Sequence, residues 1–174
     1  MLAELFFDYS CPYCRKGLAM LMDMLPDHPD IEIVWRPVEA HPRLEEPGHR
    51  PYVDIAVQGG LCVSAKKGNE RIYAEELYAA WFDRREAIDD VRVLSACAVK
   101  AGVPADAFEA ELSAGKFVEA QLAANAYAYT QQNVWAVPTL ICGNVRLDAQ
   151  EGMGVTRSGL ERFLSVCTKK TTDG

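Results

Sequence analysis

The 174-residue chain has little of what a metal centre, a nucleic-acid surface or a membrane span requires. Its three histidines, His28, His41 and His49, show no ligand spacing, so no metal is expected. Lys and Arg number 18 against 25 Asp and Glu, a formal charge of -7, which disfavours nucleic acid or an anionic lipid surface as partner. No apolar run approaches the roughly 20 residues that cross a bilayer. The chain also lacks internal repeats and low-complexity tracts. Ahead of the first apolar residues there is no basic stretch, and Glu4 and Asp8 add negative charge, a pattern unlike a secretory signal. The expected location is therefore the cytoplasm, where thiols stay reduced and six cysteines need not form a disulfide framework.

What is present suffices for one core: 49% of residues are hydrophobic and 25% charged. Residues 2–7 form a short apolar run suited to a strand buried on both faces. From Pro12, apolar side chains at 14, 18, 21, 22 and 25 recur at helical spacing until Pro26 and Pro29. Residues 31–36 alternate, with β-branched members, and Pro37 stops them. Strand, helix, strand is a βαβ unit, whose strands are parallel. Residues 40–133 carry helical patterns over 71–82, 90–101, 104–112 and 116–132, whereas Gly59, Gly60 and Gly68 are expected to interrupt any helix between 47 and 69. Strand character returns over 138–142 and 145–147, joined by Gly143-Asn144 as a tight hairpin. Residues 156–167 form a last amphipathic helix with Leu160, Phe163, Leu164 and Cys167 inward.

Cys11-Pro12-Tyr13-Cys14 is the motif that carries chemistry. Placed between a strand and a helix, Cys11 becomes the N-cap, its sulfur beside unpaired backbone N–H groups at the positive end of the helix. Thiolate is favoured there, and Pro12 suits the first turn because its missing N–H would be unpaired anyway. Cys14, one turn in on the apolar face, is then the shielded resolving thiol. A CxxC is alternatively half of a zinc site, but Cys62, Cys97, Cys142 and Cys167 are isolated and supply no second pair.

The segment FFDYSCPYCRKG resembles the active-site segment of the DsbA-like branch of the thioredoxin superfamily, and Trp135-Ala136-Val137-Pro138-Thr139 is similar to that branch's second signature. Residues 35–37, the helical block and residues 98–137 resemble a cytoplasmic subgroup, the FrnE-like and 2-hydroxychromene-2-carboxylate isomerase proteins. The resemblance implies an α/β thioredoxin fold with a mixed central sheet. Residues 1–39 and 134–168 would make the thioredoxin-fold domain, 40–133 an inserted helical subdomain and 169–174 a polar tail. It implies a cis peptide bond at Pro138, packed beside the cysteines, with Val137 and Ala136 offering backbone to an extended substrate. Isomerases of the subgroup, and kappa-class glutathione transferases, usually carry serine where Cys11 stands. Both cysteines here favour redox exchange. The acid that a periplasmic DsbA places six residues before its first cysteine falls on Leu5, and Asp148-Ala149-Gln150 replaces the subgroup's Gly-Ala-Gln.

Other residues have plainer readings beside functional ones. Asp8 is a candidate proton relay, though a strand-end aspartate more often accepts backbone N–H bonds. Arg15 and Lys16 favour a Cys11 thiolate by charge or simply face solvent. Tyr13 is expected to be exposed and to shape the substrate surface. Trp81, Phe82, Tyr127 and Tyr129 read as helical core or as an aromatic groove over the site, while Trp35 and His41 fall at the same edge as Cys11. The leading expectation is a DsbA-like thiol-disulfide oxidoreductase with Cys11 as nucleophile, Cys14 as resolving thiol, thiol or disulfide substrates and no bound cofactor. A glutathione-dependent reductase, isomerase or transferase is the alternative, with glutathione as cosubstrate. A non-catalytic zinc- or partner-binding module is the alternative of a different class. Monomer and homodimer remain equally compatible with the sequence.

Overall fold

The computed structural model describes residues 1–40 and 53–169. His41, His49 and the tail beyond Lys169 lie outside the described residues.

The element order is β1 (Leu2–Phe7), α1 (Pro12–Met24), β2 (Glu32–Pro37), α2 (Asp54–Ala65), α3 (Glu70–Tyr78), α4 (Val91–Lys100), α5 (Ala105–Ser113), α6 (Val118–Ala126), β3 (Thr139–Cys142), β4 (Val145–Asp148) and α7 (Arg157–Lys169). The strands form one mixed sheet in the order β2-β1-β3-β4. β1 runs parallel to β2, from the Leu2–Glu32 pair to the Phe7–Pro37 pair, and antiparallel to β3. β3 and β4 form the expected hairpin, in which Gly143 takes φ 60°, a conformation glycine adopts without steric penalty. The α/β fold with a mixed sheet read from the sequence is the fold observed. The topology puts the carboxyl end of central β1, and so residues 8–11, beside the amino end of β3. That juxtaposition builds the site.

Three local expectations are corrected. α2 runs unbroken through Gly59 and Gly60. A Cβ at Gly59 would collide with the Tyr73 hydroxyl, and one at Gly60 with the Tyr9 hydroxyl, so these glycines admit two buried tyrosines rather than end the helix. Second, the helical patterns over 71–82 and 116–132 are not single α-helices: each closes in a π-helical turn, Ala79–Asp83 and Tyr127–Gln131. Each π turn takes an extra residue and rotates the side chains after it out of the 3.6-residue phase. Third, β1 is not wholly apolar inside. Leu2 is exposed, and half-buried Glu4 accepts from Arg36 (Nε 2.8 Å) and from the Tyr127 hydroxyl (3.0 Å), fastening the second π turn to the sheet.

The core continues from the sheet into the helices through an aromatic series. Phe7, Tyr9, Tyr73 and Phe108 follow one another at centroid distances of 5.2, 5.8 and 6.2 Å, the first two contacts edge-on. Such pairs add about 0.5–1.5 kcal/mol each beyond area burial. Trp35 lies within β2, edge-on to Phe7 at 5.7 Å, rather than after the strand. On the other face, α7 buries Leu160, Phe163, Leu164 and Cys167.

Candidate active site

β1 ends at Phe7, and the next four residues are shaped by one buried carboxylate. Asp8 is fully buried and accepts from the Ser10 N–H (2.6 Å), the Ser10 hydroxyl (2.7 Å) and the Ala40 N–H (2.8 Å). Its own carbonyl accepts from the Cys11 N–H (3.2 Å) and the Tyr78 hydroxyl (3.1 Å). Asp8 thus joins β1, the segment after β2, α3 and the start of α1. A carboxylate that accepts three bonds is the organiser of the turn, the plainer of its two readings.

Cys11 caps α1 with extended backbone (φ -88°, ψ 118°), and its sulfur accepts from the Cys14 N–H at 3.3 Å. Pro12 occupies the first helical turn. The Cys11 thiol is held below its ordinary pKa by the hydrogen bond from the Cys14 side chain, against the opposing effect of burial. The N–H groups of Cys14 and Tyr13 add to the lowering, and the Asp8 charge works against it. Cys14 is pushed well above its ordinary value, first by burial and then by its bond to Cys11. The two sulfurs are therefore electrostatically unlike: the surroundings favour the thiolate form of one and disfavour that of the other. All six cysteines are free thiols in this structure.

The Val137–Pro138 peptide bond is cis. The Val137 carbonyl stands 3.8 Å from the Cys11 sulfur, 126 residues away in sequence. Pro138 is seated on α1 because residue 17 is glycine; a Cβ there would lie 3.0 Å from the Pro138 ring and 2.9 Å from Val155. Thr139 secures the same turn, donating from its hydroxyl to the Ala136 carbonyl at 2.7 Å, beside the Asp148 carboxylate at 2.8 Å. Ala136 is exposed.

These pieces border a cleft of about 590 Å³. Of its lining, Cys11 and Val137 are buried and make the floor, while Tyr13, Trp135 and Glu151 are exposed and make the rim. Two parts of it, the exposure of Trp135 and the loop after β4, lie beyond sequence reasoning, while Tyr129 meets one of its two readings. Trp135, which the sequence offers only as part of a signature, is 88% exposed. Of the two readings of Tyr129, core or groove, the groove is the one observed: the π turn carries it to the cleft wall, where its hydroxyl donates to the Glu39 carbonyl. Burial raises the Tyr129 pKa, with the Asp8 and Glu39 charges adding to it. The loop after β4 supplies Ala149, Gln150, Glu151 and Gly152 to the lining; its sequence signal was the pair Gly152 and Gly154, both at positive φ.

The remaining sequence candidates lie apart from the cleft. Arg15 makes a two-pronged ion pair with Asp83 (2.8 and 2.6 Å) and stacks over Phe82, so its charge is already matched. Cys62 and Cys97 are buried, and burial pushes each thiol up to about 11. Cys142 and Cys167 are also buried. Trp81 and Phe82 sit in the first π turn. His28 bonds to Thr168 across 3.2 Å. Among the described residues no three His, Cys, Asp or Glu side chains converge as metal ligands would.

Comparison with known proteins agrees with this fold. Residues 3–59 match the DSBA-like thioredoxin domain family. The chain is 24% identical to the Bacillus subtilis uncharacterized protein YwbO, over 87% of this chain and 92% of that one. In structure it resembles a probable DsbA oxidoreductase of Streptomyces coelicolor (TM-score 0.77, 18% identity, 100% and 91% of the two chains). A putative protein disulfide isomerase of Nitrosomonas europaea is similar (TM-score 0.76, 16% identity, 99% and 98%). So is a 2-hydroxychromene-2-carboxylate isomerase (TM-score 0.70, 17% identity, 100% of both).

Proposed function

We propose that this chain of DsbA-like thioredoxin fold is a dithiol-disulfide oxidoreductase working through Cys11 and Cys14. The observation that carries the proposal is the opposed state of the two sulfurs: Cys11 lowered at the helix N-cap and open to the cleft, Cys14 raised and buried one turn behind.

The Cys11 thiolate attacks one sulfur of a substrate disulfide, forming a Cys11–substrate disulfide and releasing the other sulfur as thiolate. In that mixed disulfide the negative charge is gone from Cys11, so the charge and hydrogen bond that raise the Cys14 pKa fall away. Cys14 then loses its proton, attacks the Cys11 sulfur and expels the second substrate thiolate. Two electrons have passed from the pair to the substrate, and the chain is left with a Cys11–Cys14 disulfide. The same steps run backwards oxidise a substrate dithiol, and the relative reduction potentials choose the direction. Val137 and Ala136 present backbone beside Cys11 for an extended substrate strand, while Pro12 and Tyr13 shape the surface around the attacking sulfur. No bound cofactor enters these steps; the expected setting is a reducing cytoplasm.

A Cys14→Ser variant tests the mechanism, because it should accumulate mixed disulfides through Cys11 that a reductant releases. A variant that captures no substrate, beside a wild type that fails to reduce a model disulfide, refutes the proposal. The whole-chain likeness to the 2-hydroxychromene-2-carboxylate isomerase supports the second reading, glutathione-dependent isomerisation. Isomerase activity that survives Cys11→Ser would favour that reading over exchange.

A further inference from the structure

The rim of the cleft has a chemistry that the exchange mechanism does not use. Trp135 stands at its edge 88% exposed, an unusual position for the largest apolar side chain. Opposite in sequence but in the same lining is Glu151, with Tyr13 between the cysteines completing the aromatic border. Among the described residues lining the cleft, Glu151 is the one carboxylate, and no Lys or Arg accompanies it. Nor does any described cation pair with Glu151 elsewhere.

Glu151 is exposed, but the backbone of the loop that carries it is closed on itself. The Gln150 N–H donates to the Gly154 carbonyl at 2.9 Å, and the Gly154 N–H donates back to Gln150 at 2.8 Å. Gly152 and Gly154, at φ 68° and 75°, allow the turn to be this tight. Gly154 packs directly on Tyr13, where a Cβ would come within 3.0 Å of the tyrosine Cβ. The short closed loop therefore packs on Tyr13 through Gly154 and carries Glu151 in the lining of the same cleft.

An exposed indole and an unpaired carboxylate at one rim select the same kind of group. The indole face attracts a cation through its quadrupole, and the carboxylate attracts it by charge. On a chain of net charge -7 the wider field acts in the same direction. An acidic segment meets repulsion, and so does glutathione, whose two carboxylates outnumber its single ammonium group.

We infer that the cleft takes a disulfide-bonded polypeptide with a lysine or arginine next to the reacting cysteine, the basic side chain lying between Trp135 and Glu151. This rests on the exchange reaction proposed above. The thiolate attack is unchanged, and the rim governs which disulfide is presented to Cys11.

Two peptides that differ only in a Lys or Glu beside a single cysteine, each disulfide-linked to 5-thio-2-nitrobenzoate, provide the test. The reduced full-length protein is mixed with each, and release of the yellow thiolate gives a second-order rate constant. The Lys peptide is expected to react about tenfold faster at low ionic strength, with the ratio shrinking as salt is added. Glu151→Gln and Trp135→Ala should each bring the Lys-to-Glu ratio down about threefold. A ratio separates selectivity from a general slowing of both peptides. Equal rates, a preference for the Glu peptide, or faster reaction with oxidised glutathione than with the Lys peptide would overturn the inference while leaving exchange intact. No release from either peptide would remove the exchange reading itself, and this inference with it.

Discussion

Replacing Gly17 by alanine sets two well-measured effects against each other at the point where α1 meets the Val137-Pro138 turn. Gly17 lies inside a 13-residue helix, where alanine is worth about 0.8–1.0 kcal/mol more than glycine. The new methyl, however, would lie 2.9 Å from Val155 Cγ2 and 3.0 Å from Pro138 Cγ. Carbon pairs prefer about 3.5–4.0 Å, so each contact is short by about 0.5–1 Å. Neither neighbour yields easily, since Val155 is buried and β-branched and the Pro138 ring is fused to its backbone. Overpacking of this kind costs about 1–3 kcal/mol. The clash outweighs the helix preference by about 1 kcal/mol, which lowers Tm by about 3 °C in a domain of this size. Relief comes most readily by moving Pro138 outward, carrying the Val137 carbonyl away from the Cys11 sulfur. If the proposed exchange uses the Val137 carbonyl to position substrate, a displacement of about 1 Å can cost about a hundredfold in rate, and a shift of half that size should slow disulfide reduction about tenfold. Thermal unfolding and the rate of model-disulfide reduction are measured on the same preparation. A variant with a higher Tm and an unchanged rate would refute the reasoning, because helix propensity alone would then govern the site and Pro138 would not depend on α1.

Four further outcomes follow from the same geometry. In the reduced protein, alkylation of Cys11 should rise through a pH below the ordinary thiol range, and Cys14 should stay unmodified across it; equal labelling of both, read by mass spectrometry, contradicts the opposed sulfurs. Asp8→Asn removes a like charge that opposes the Cys11 thiolate, so Cys11 should become more acidic and the reduction potential of the pair should rise, while the amide facing the Ala40 N–H costs about 1–3 kcal/mol in denaturant unfolding. The Lys116 and Lys66 ammonium groups hold Glu111 down at about 2, so its contribution to stability is fully present above the ordinary carboxylate value and is lost as pH falls toward 2; the stability gap between wild type and Glu111→Gln should close over that window. Gly60→Ala should destabilise more than Gly17→Ala, because the obstacle is the hydroxyl end of a fully enclosed Tyr9, and a neutral result in thermal unfolding would contradict the packing of α2.

Periodicity and punctuation sufficed wherever the neighbours of a residue are its neighbours in sequence. The strand from 2 to 7, the helix opening at Pro12, the Gly143-Asn144 hairpin and the inward face of the last helix were all legible, because each depends on local backbone preference and one apolar stripe. The cap position of Cys11 was legible for the same reason: a strand, a short break and a Pro at the first turn leave few other places for it. Periodicity failed at Gly59 and Gly60, where a propensity penalty of about 1 kcal/mol each is outweighed by two buried tyrosines that only tertiary packing brings there. It failed again at the two π turns, which shift the phase on which pattern reading depends.

The sequence by itself determined the chemistry on offer: two thiols three residues apart at the mouth of a helix, in a chain with no second metal-binding pair. Only the tertiary structure decided what surrounds them. It set the Val137 carbonyl beside a cysteine 126 residues away, turned Tyr129 into the cleft and left Trp135 and Glu151 on the rim. The reason is one of range: capping and helix electrostatics act within a turn of the backbone, whereas a cleft is made of segments that meet only when β1 and β3 pair and the core closes over them.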